Sequence, residues 1–235
     1  MKNVIITILS IIVIGLASYI VYDKVISNNN SSNKTDEKEN SNTNNEQEKE
    51  INSNTLNELY TLINVDPQKE FNYCHTLNLD LLNYNGLISN MDKETKQRIL
   101  YWYAVNNKYM ATVTGNEYSY CKSGMGEECN GLSKENYKKI AKKYNITDDF
   151  DELFDNFEKY NGMALQTWVN LGGCDYNTKH NLNSKYVGNN IVIEDTVDYY
   201  TFAVENPTKT NTKNVKYTFN KLSDGTYALY SVESK

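Results

Sequence analysis

Arginine is nearly missing from this 235-residue chain: Arg98 is the only one, against 23 lysines. The net charge is −6. Gripping a phosphate backbone needs clustered cations, and bidentate grip needs guanidinium forks. A mildly acidic chain with one fork is poorly suited to that, so nucleic acid is excluded as the expected partner. Proline is also scarce, at Pro67 and Pro207 only, and histidine is limited to His75 and His180. Any triad or imidazole-based general base must therefore use one of those two histidines. No G-x-S-x-G elbow and no C-x-x-C pair occurs. No catalytic residue, cofactor site or metal site is expected.

Asparagine, lysine, tyrosine and isoleucine fill the space left by the scarce types. All four have AT-rich codons, so the 20 tyrosines carry no ligand signal by their number alone.

Charge is absent from residues 4–22, VIITILSIIVIGLASYIVY. Nineteen uncharged residues, mostly Ile, Val and Leu, rise about 28 Å as a helix, close to the thickness of bilayer hydrocarbon. Residues 1–26 are accordingly expected to form a signal-anchor. Lys2 and Lys24 flank it almost evenly, so charge alone does not orient it. Its position and the distribution of cysteines place the C-terminal bulk outside the cell membrane. Gly15 and Ala17 present small residues for a cut before Ser18, and the alternative is secretion after cleavage following Ala17.

Residues 27–54 hold three lysines, six acids, one isoleucine and no aromatic residue. Such a segment cannot bury enough apolar area to offset its ordering entropy, and a disordered tether is expected. A flexible coil of that length spans roughly 25–35 Å.

Residues 55–235 are expected to form an α+β domain. Leu56, Leu59, Tyr60 and Ile63 share a helical face. A second helix starts near Asp92 and carries Ile99, Leu100, Trp102, Tyr103 and Val105. Ser133 caps a third, with Tyr137, Ile140, Ala141 and Tyr144 inward. Thr147 is expected to cap a fourth, with Phe150, Leu153, Phe154 and Phe157 on its face. Strands are expected over 162–171 and 191–204, with a possible bend at Asp195. Further strands hold Val215, Tyr217 and Phe219, then Tyr227 and Leu229 beyond an Asp224-Gly225 turn. Helices followed by an antiparallel sheet match the element order of nuclear-transport-factor-2-like or cystatin-like folds.

All four cysteines, Cys74, Cys121, Cys129 and Cys174, fall in the exported part. Two disulfides are the expected state. Cys121 and Cys129 flank Gly124 and Gly126 and could close a short loop. Cys74 and Cys174 would then join the helical half to the sheet. Free thiols, or a metal held by Cys74, His75, Cys174 and His180, are the alternatives, but adjacent ligands rarely reach one tetrahedral ion.

Other candidates are weaker. The acidic run from Asp148 to Asp155 lacks the spacing and glycine of a calcium loop and reads as a helix start. Tyr101, Trp102, Tyr103 and Trp168 could stack on sugar rings, but their spacing suits a core. His75, His180 and Trp168 remain weak ligand-binding candidates. Asn145-Ile146-Thr147 matches a glycosylation acceptor.

The anchor and linker precede S-K-E-N-Y-K-K-I-A-K-K-Y (133–144), F-D-E-L-F (150–154), L-G-G-C (171–174) and D-G-T-Y-A-L-Y-S-V (224–232). In this combination the chain resembles the uncharacterised membrane-anchored exported proteins of low-GC Gram-positive bacteria. The resemblance implies export and anchoring, and supplies no reaction and no catalytic residues.

The expected function is a binding or interaction module at the cell surface, held to the membrane by residues 4–22 and meeting an envelope or extracellular ligand. One alternative is an envelope hydrolase using His75 or His180 with a carboxylate. Another is a structural subunit of an envelope complex. Peptide mapping without reduction is expected to recover Cys121 linked to Cys129 and Cys74 linked to Cys174. Four alkylatable thiols in the native protein would reject both bonds.

Overall fold

In a computed structural model of the chain, the described residues are 50–73, 76–114, 128–165, 176–202 and 205–235. They fall within one compact unit, Gln47–Lys235. The expected anchor over 4–22 lies outside them. No helix among the described residues is long and apolar enough to cross a membrane.

The fold is α+β, with two antiparallel sheets rather than the single expected one. The chain enters at Ile51, whose side chain is buried in the core. Asn52 caps α1 (Ser53–Leu62), accepting from the Asn54 amide. Helix α1 thus begins two residues ahead of the expected domain start at residue 55. A short strand, β1 (Asn72–Tyr73), leads to α2 (Thr76–Leu82), β2 (Gly86–Leu87) and a 3₁₀ turn at Ile88–Asn90.

Helix α3 (Lys93–Asn106) is the central helix. Asp92 caps it, accepting from the Thr95 amide at 2.9 Å. Its residues 99–104 are all buried, so it has almost no solvent face. Val105, near the end of the helix, is exposed. A helix surrounded on all sides must satisfy its polar side chains internally. Lys96 does so with Asp148 (2.8 Å), and Gln97 donates to the Leu153 carbonyl and to Asn156. Arg98 lays its fork on Asp80 of α2, at 2.9 and 3.0 Å.

The smaller sheet has the order β3 (Met110–Thr114), β4 (Glu128–Ser133), β6 (Met163–Leu165), β5 (Lys159–Tyr160). Between β4 and β5 lie α4 (Lys134–Lys143), capped by Ser133 as expected, and α5 (Phe150–Leu153). Asp149, not Thr147, caps α5, and the helix is a single turn. The apolar positions expected for it nevertheless all point inward: Phe150, Leu153, Phe154 and Phe157 are buried. Phe154 packs edge-on against Phe157 and tilted against Phe150, and the Tyr101 ring stacks on Phe157 at 5.5 Å. The Tyr101 hydroxyl donates to the Ala164 carbonyl (2.8 Å), and the Tyr144 hydroxyl to that of Leu62 (2.8 Å). Tyr101, Trp102 and Tyr103 are core residues.

The larger sheet has the order β1, β7 (Tyr176–Val187), β8 (Asn190–Thr201), β9 (Lys209–Lys221), β10 (Tyr227–Ser234), β2. Strand β7 is not evident in the sequence, because its outward positions are Asn and Lys and its inward ones only half-apolar. It pairs with β8 over twelve rungs, closed at a turn where Gly188 takes φ +62°. That left-handed conformation carries little cost for glycine. Strand β8 runs through Asp195 without the expected bend. One face of the sheet buries Ile191, Ile193, Val197, Val215, Tyr217 and Phe219. An irregularity between Leu229 and Ser231 resets the pleat, so that Leu229 and Val232 both reach the core. The Asp224-Gly225 turn is present, with Gly225 at φ +85°.

The Arg98–Asp80 fork joins α3 to α2 in a largely buried setting. Arg98→Lys should lose one of the two parallel bonds and lower unfolding free energy by about 1–2 kcal/mol. Urea titration of the full-length chain measures this; an unchanged midpoint would reject the role.

Candidate functional site

Inward positions on β7 alternate Thr178, His180, Leu182 and Ser184, and those on β8 Ile193, Asp195, Val197 and Tyr199. His180 stands opposite Val197, and Asp195 opposite Leu182. The two polar residues are therefore diagonal neighbours on one face, within side-chain reach. His180 Nδ1 lies 2.6 Å from Asp195 Oδ2, and His180 Nε2 lies 2.9 Å from Thr178 Oγ1. The two side chains are 2% and 0% exposed, and Thr178 is fully buried. The Thr178 hydroxyl is also 3.3 Å from the Asn72 carbonyl on β1.

The polar chain continues beyond the sheet. The Asn72 side chain accepts from the Asp66 amide at 2.8 Å and donates to the Asp66 carbonyl at 3.1 Å. It thereby closes the loop before β1. An unbroken hydrogen-bonded line runs from the sheet's interior to that loop: Asp195, His180, Thr178, Asn72, Asp66.

Burial raises the Asp195 carboxyl above its ordinary value; the hydrogen bond and charge of His180, and the Asn181 amide, oppose that rise. Oδ1 of Asp195 is buried with no hydrogen-bond partner among the described residues. Burial, and then the Asp195 charge, raise the Tyr217 phenol well above its usual range. Tyr199, also chiefly through burial, is pushed up to about 12.

Acid, imidazole and hydroxyl stand in the order of a nucleophilic triad. Their burial leaves no room for a substrate beside Thr178, and the hydroxyl is already in contact with a main-chain carbonyl. The arrangement orients the strands and the loop.

The loop fixed by Asn72 forms one wall of an open cleft of about 430 Å³. Asn57, Tyr60 and Asn64 line it from α1 and its exit, and Tyr73 from β1. Asn106 and Asn107 close it at the end of α3. Asn64 takes φ +54°, a left-handed conformation that asparagine tolerates better than most residues. Its charged lining residues, Asp66 and Lys69, face each other at 3.6 Å. The Asn107 amide is fixed by donating to the Tyr103 carbonyl at 2.9 Å. Tyr73 continues outward onto Phe202 (centroids 5.4 Å, 68°), beside the Phe71–Tyr200 pair (5.0 Å, 80°). Tyr73 is 45% exposed and Phe202 39%.

Of the cysteine, histidine and Trp168 candidates, His180 alone has its side chain described. His75, Trp168, Cys74, Cys121 and Cys174 lie outside the described residues. Cys129 has its backbone in β4 opposite Val113, and its side chain is not described. The acidic run is engaged by lysines: Asp148 by Lys96, Asp151 by Lys134 and Lys159, and Asp155 by Lys93. The cleft asparagines carried no signal in the sequence, being a few among many. No protein-family model, curated protein or solved structure matches this chain.

His180→Ala strands a buried carboxylate and should cost about 3–5 kcal/mol, most of it recovered when Asp195 is also made apolar. The raised Asp195 pKa makes its ionised form the costly one. Its stabilising contribution is present below the ordinary value of 3.8 and is lost as pH rises through the folded-state value. Asp195→Asn should therefore gain stability relative to wild type as pH rises across that window. Chemical denaturation at stepped pH measures the difference, and a difference independent of pH would reject a titrating Asp195.

Proposed function

We propose that this chain is a binding module held outside a membrane by residues 4–22, with the segment from residue 27 up to the start of the folded unit as its tether and the amide-lined cleft as its ligand site. The observation that carries it is the cleft itself. It is concave, of a size within the roughly 300–1,000 Å³ of small-ligand sites, and one wall is held by a buried polar chain leading to the sheet interior. Positioning by packed secondary structure is what a specific site requires. Helices resting on one face of the larger sheet support the nuclear-transport-factor-2-like or cystatin-like analogy as the finer description of the fold. Cys121–Cys129 and Cys74–Cys174 remain the proposed disulfides.

The hydrolase alternative draws less support. His180 does meet a carboxylate, but at a position closed to substrate. A structural subunit would present a broad apolar face. The exposed large apolar residues among those described are Tyr73, Val105, Val187 and Phe202, and of these Tyr73 and Phe202 form a pair.

Full-length chain should co-sediment with lipid-extracted envelope material of its source. Asn57→Lys and Asn106→Lys, both at exposed positions, should each reduce retention about ten-fold without lowering the melting temperature. Lys185→Ala, on the outward face of β7, should not. Equal retention of all four proteins, or none by wild type, would reject the cleft as the site.

A further inference from the structure

We infer that the ligand of this cleft is an uncharged, hydroxyl-rich glycan chain, which extends from the cleft across the Tyr73–Phe202 platform. The inference rests on the cleft being the binding site and names what it would take.

Charge points the same way as shape. The charged lining residues, Asp66 and Lys69, stand 3.6 Å apart and oppose each other. An anionic polymer would find one lysine already facing a carboxylate, too little for a phosphate or carboxylate chain. A cationic ligand would find one carboxylate in the same position. What remains is a lining of side-chain amides, from Asn57, Asn64, Asn106 and Asn107. An amide carries both donors and an acceptor, as a hydroxyl does. It can meet a hydroxyl in either role, which suits a ligand presenting many of them.

Aromatic rings supply the second half of the chemistry. Sugar rings are amphipathic: hydroxyls radiate at the edge and C–H groups cover the faces. Tyr60 and Tyr73 flank the amides. Tyr73 belongs both to the cleft and to the exposed pair with Phe202, so polar lining passes into aromatic surface without a break. Edge-to-face packing holds these rings in place, and a rigid aromatic surface suits stacking on a ring's C–H face.

A peptide is the competing occupant. Peptides are commonly bound by strand addition or by an apolar groove for a helix. The strand that lines the cleft, β1, is two residues long and offers little ladder, and five of the twelve lining residues are asparagines.

The test titrates the full-length chain, in a detergent without a sugar headgroup, with neutral hexasaccharides of β-linked N-acetylglucosamine, β-glucose, α-glucose and mannose. A polyglycerol phosphate and an unstructured neutral peptide form the contrast arms, and calorimetry is the readout. At least one neutral hexasaccharide should bind saturably and about ten-fold or more tighter than either contrast ligand. Its affinity should fall about ten-fold in Tyr73→Ala and in Asn106→Lys and hold as salt rises. The same sugar should displace the chain from envelope material. No saturable sugar binding, or tighter binding of the phosphate polymer or the peptide, would overturn the inference. Envelope retention that is lost in Asn57→Lys yet undisturbed by every sugar would overturn it while leaving the cleft as the site. Sugar binding unchanged in both variants would place the glycan elsewhere and overturn it as well.

Discussion

A carboxylate that no water reaches holds this molecule's sheet in register with its outermost loop. Asp195 sits in the middle of β8, among Ile193, Val197 and Tyr217, where an apolar side chain would ordinarily stand. It is tolerated because His180 lies diagonally across on β7, and His180 in turn meets Thr178. A shift of β7 by one residue would turn His180 to solvent and strand the acid. Buried polar pairs add less to stability than to choice of arrangement in several systems, and here the arrangement selected is the pairing of a strand with little apolar content of its own.

The same line of contacts reaches the surface through a main-chain carbonyl. Thr178 is in contact with Asn72, and Asn72 grips both polar groups of the Asp66 peptide. The interior therefore determines where the 66–72 loop lies. On the other side of the cleft, α3 is fixed by its own internal partners, Asp148, Leu153 and Asp80. Two independently anchored walls thus face each other, and the amides between them inherit fixed positions.

Much of the α-helical half was legible because its signals are local. Asp92 and Ser133 act as caps, and the apolar spacing of 137–144 marks the buried face. Thr147 misleads because Asp149 sits two residues on with an equally good cap, and four aromatic or aliphatic positions can be buried by a turn as well as by a helix. Strand β7 was not legible: outward Asn and Lys alternate there with inward Thr, His, Leu and Ser, so neither face shows an apolar stripe, although its partner β8 follows across a tight turn. Asp195 looked like a break because an acid in an apolar run reads as one until His180, placed beside it by the β7–β8 hairpin, is taken into account. The cleft was hidden more completely. Its asparagines come from three separate segments, and nothing distinguishes them from the many asparagines that serve as solvated surface.

Both margins of the larger sheet, β1 and β2, are two residues long. β1 covers only Asn177 and Thr178 of the twelve-residue β7, and β2 only Ser231 and Val232 of β10, so the rest of each outer strand has no strand beside it on that side among the described residues. On β7 that open edge carries the outward residues Lys179, Asn181, Asn183 and Lys185, whose solvated heads a second strand would have to strip of water before it could pair there.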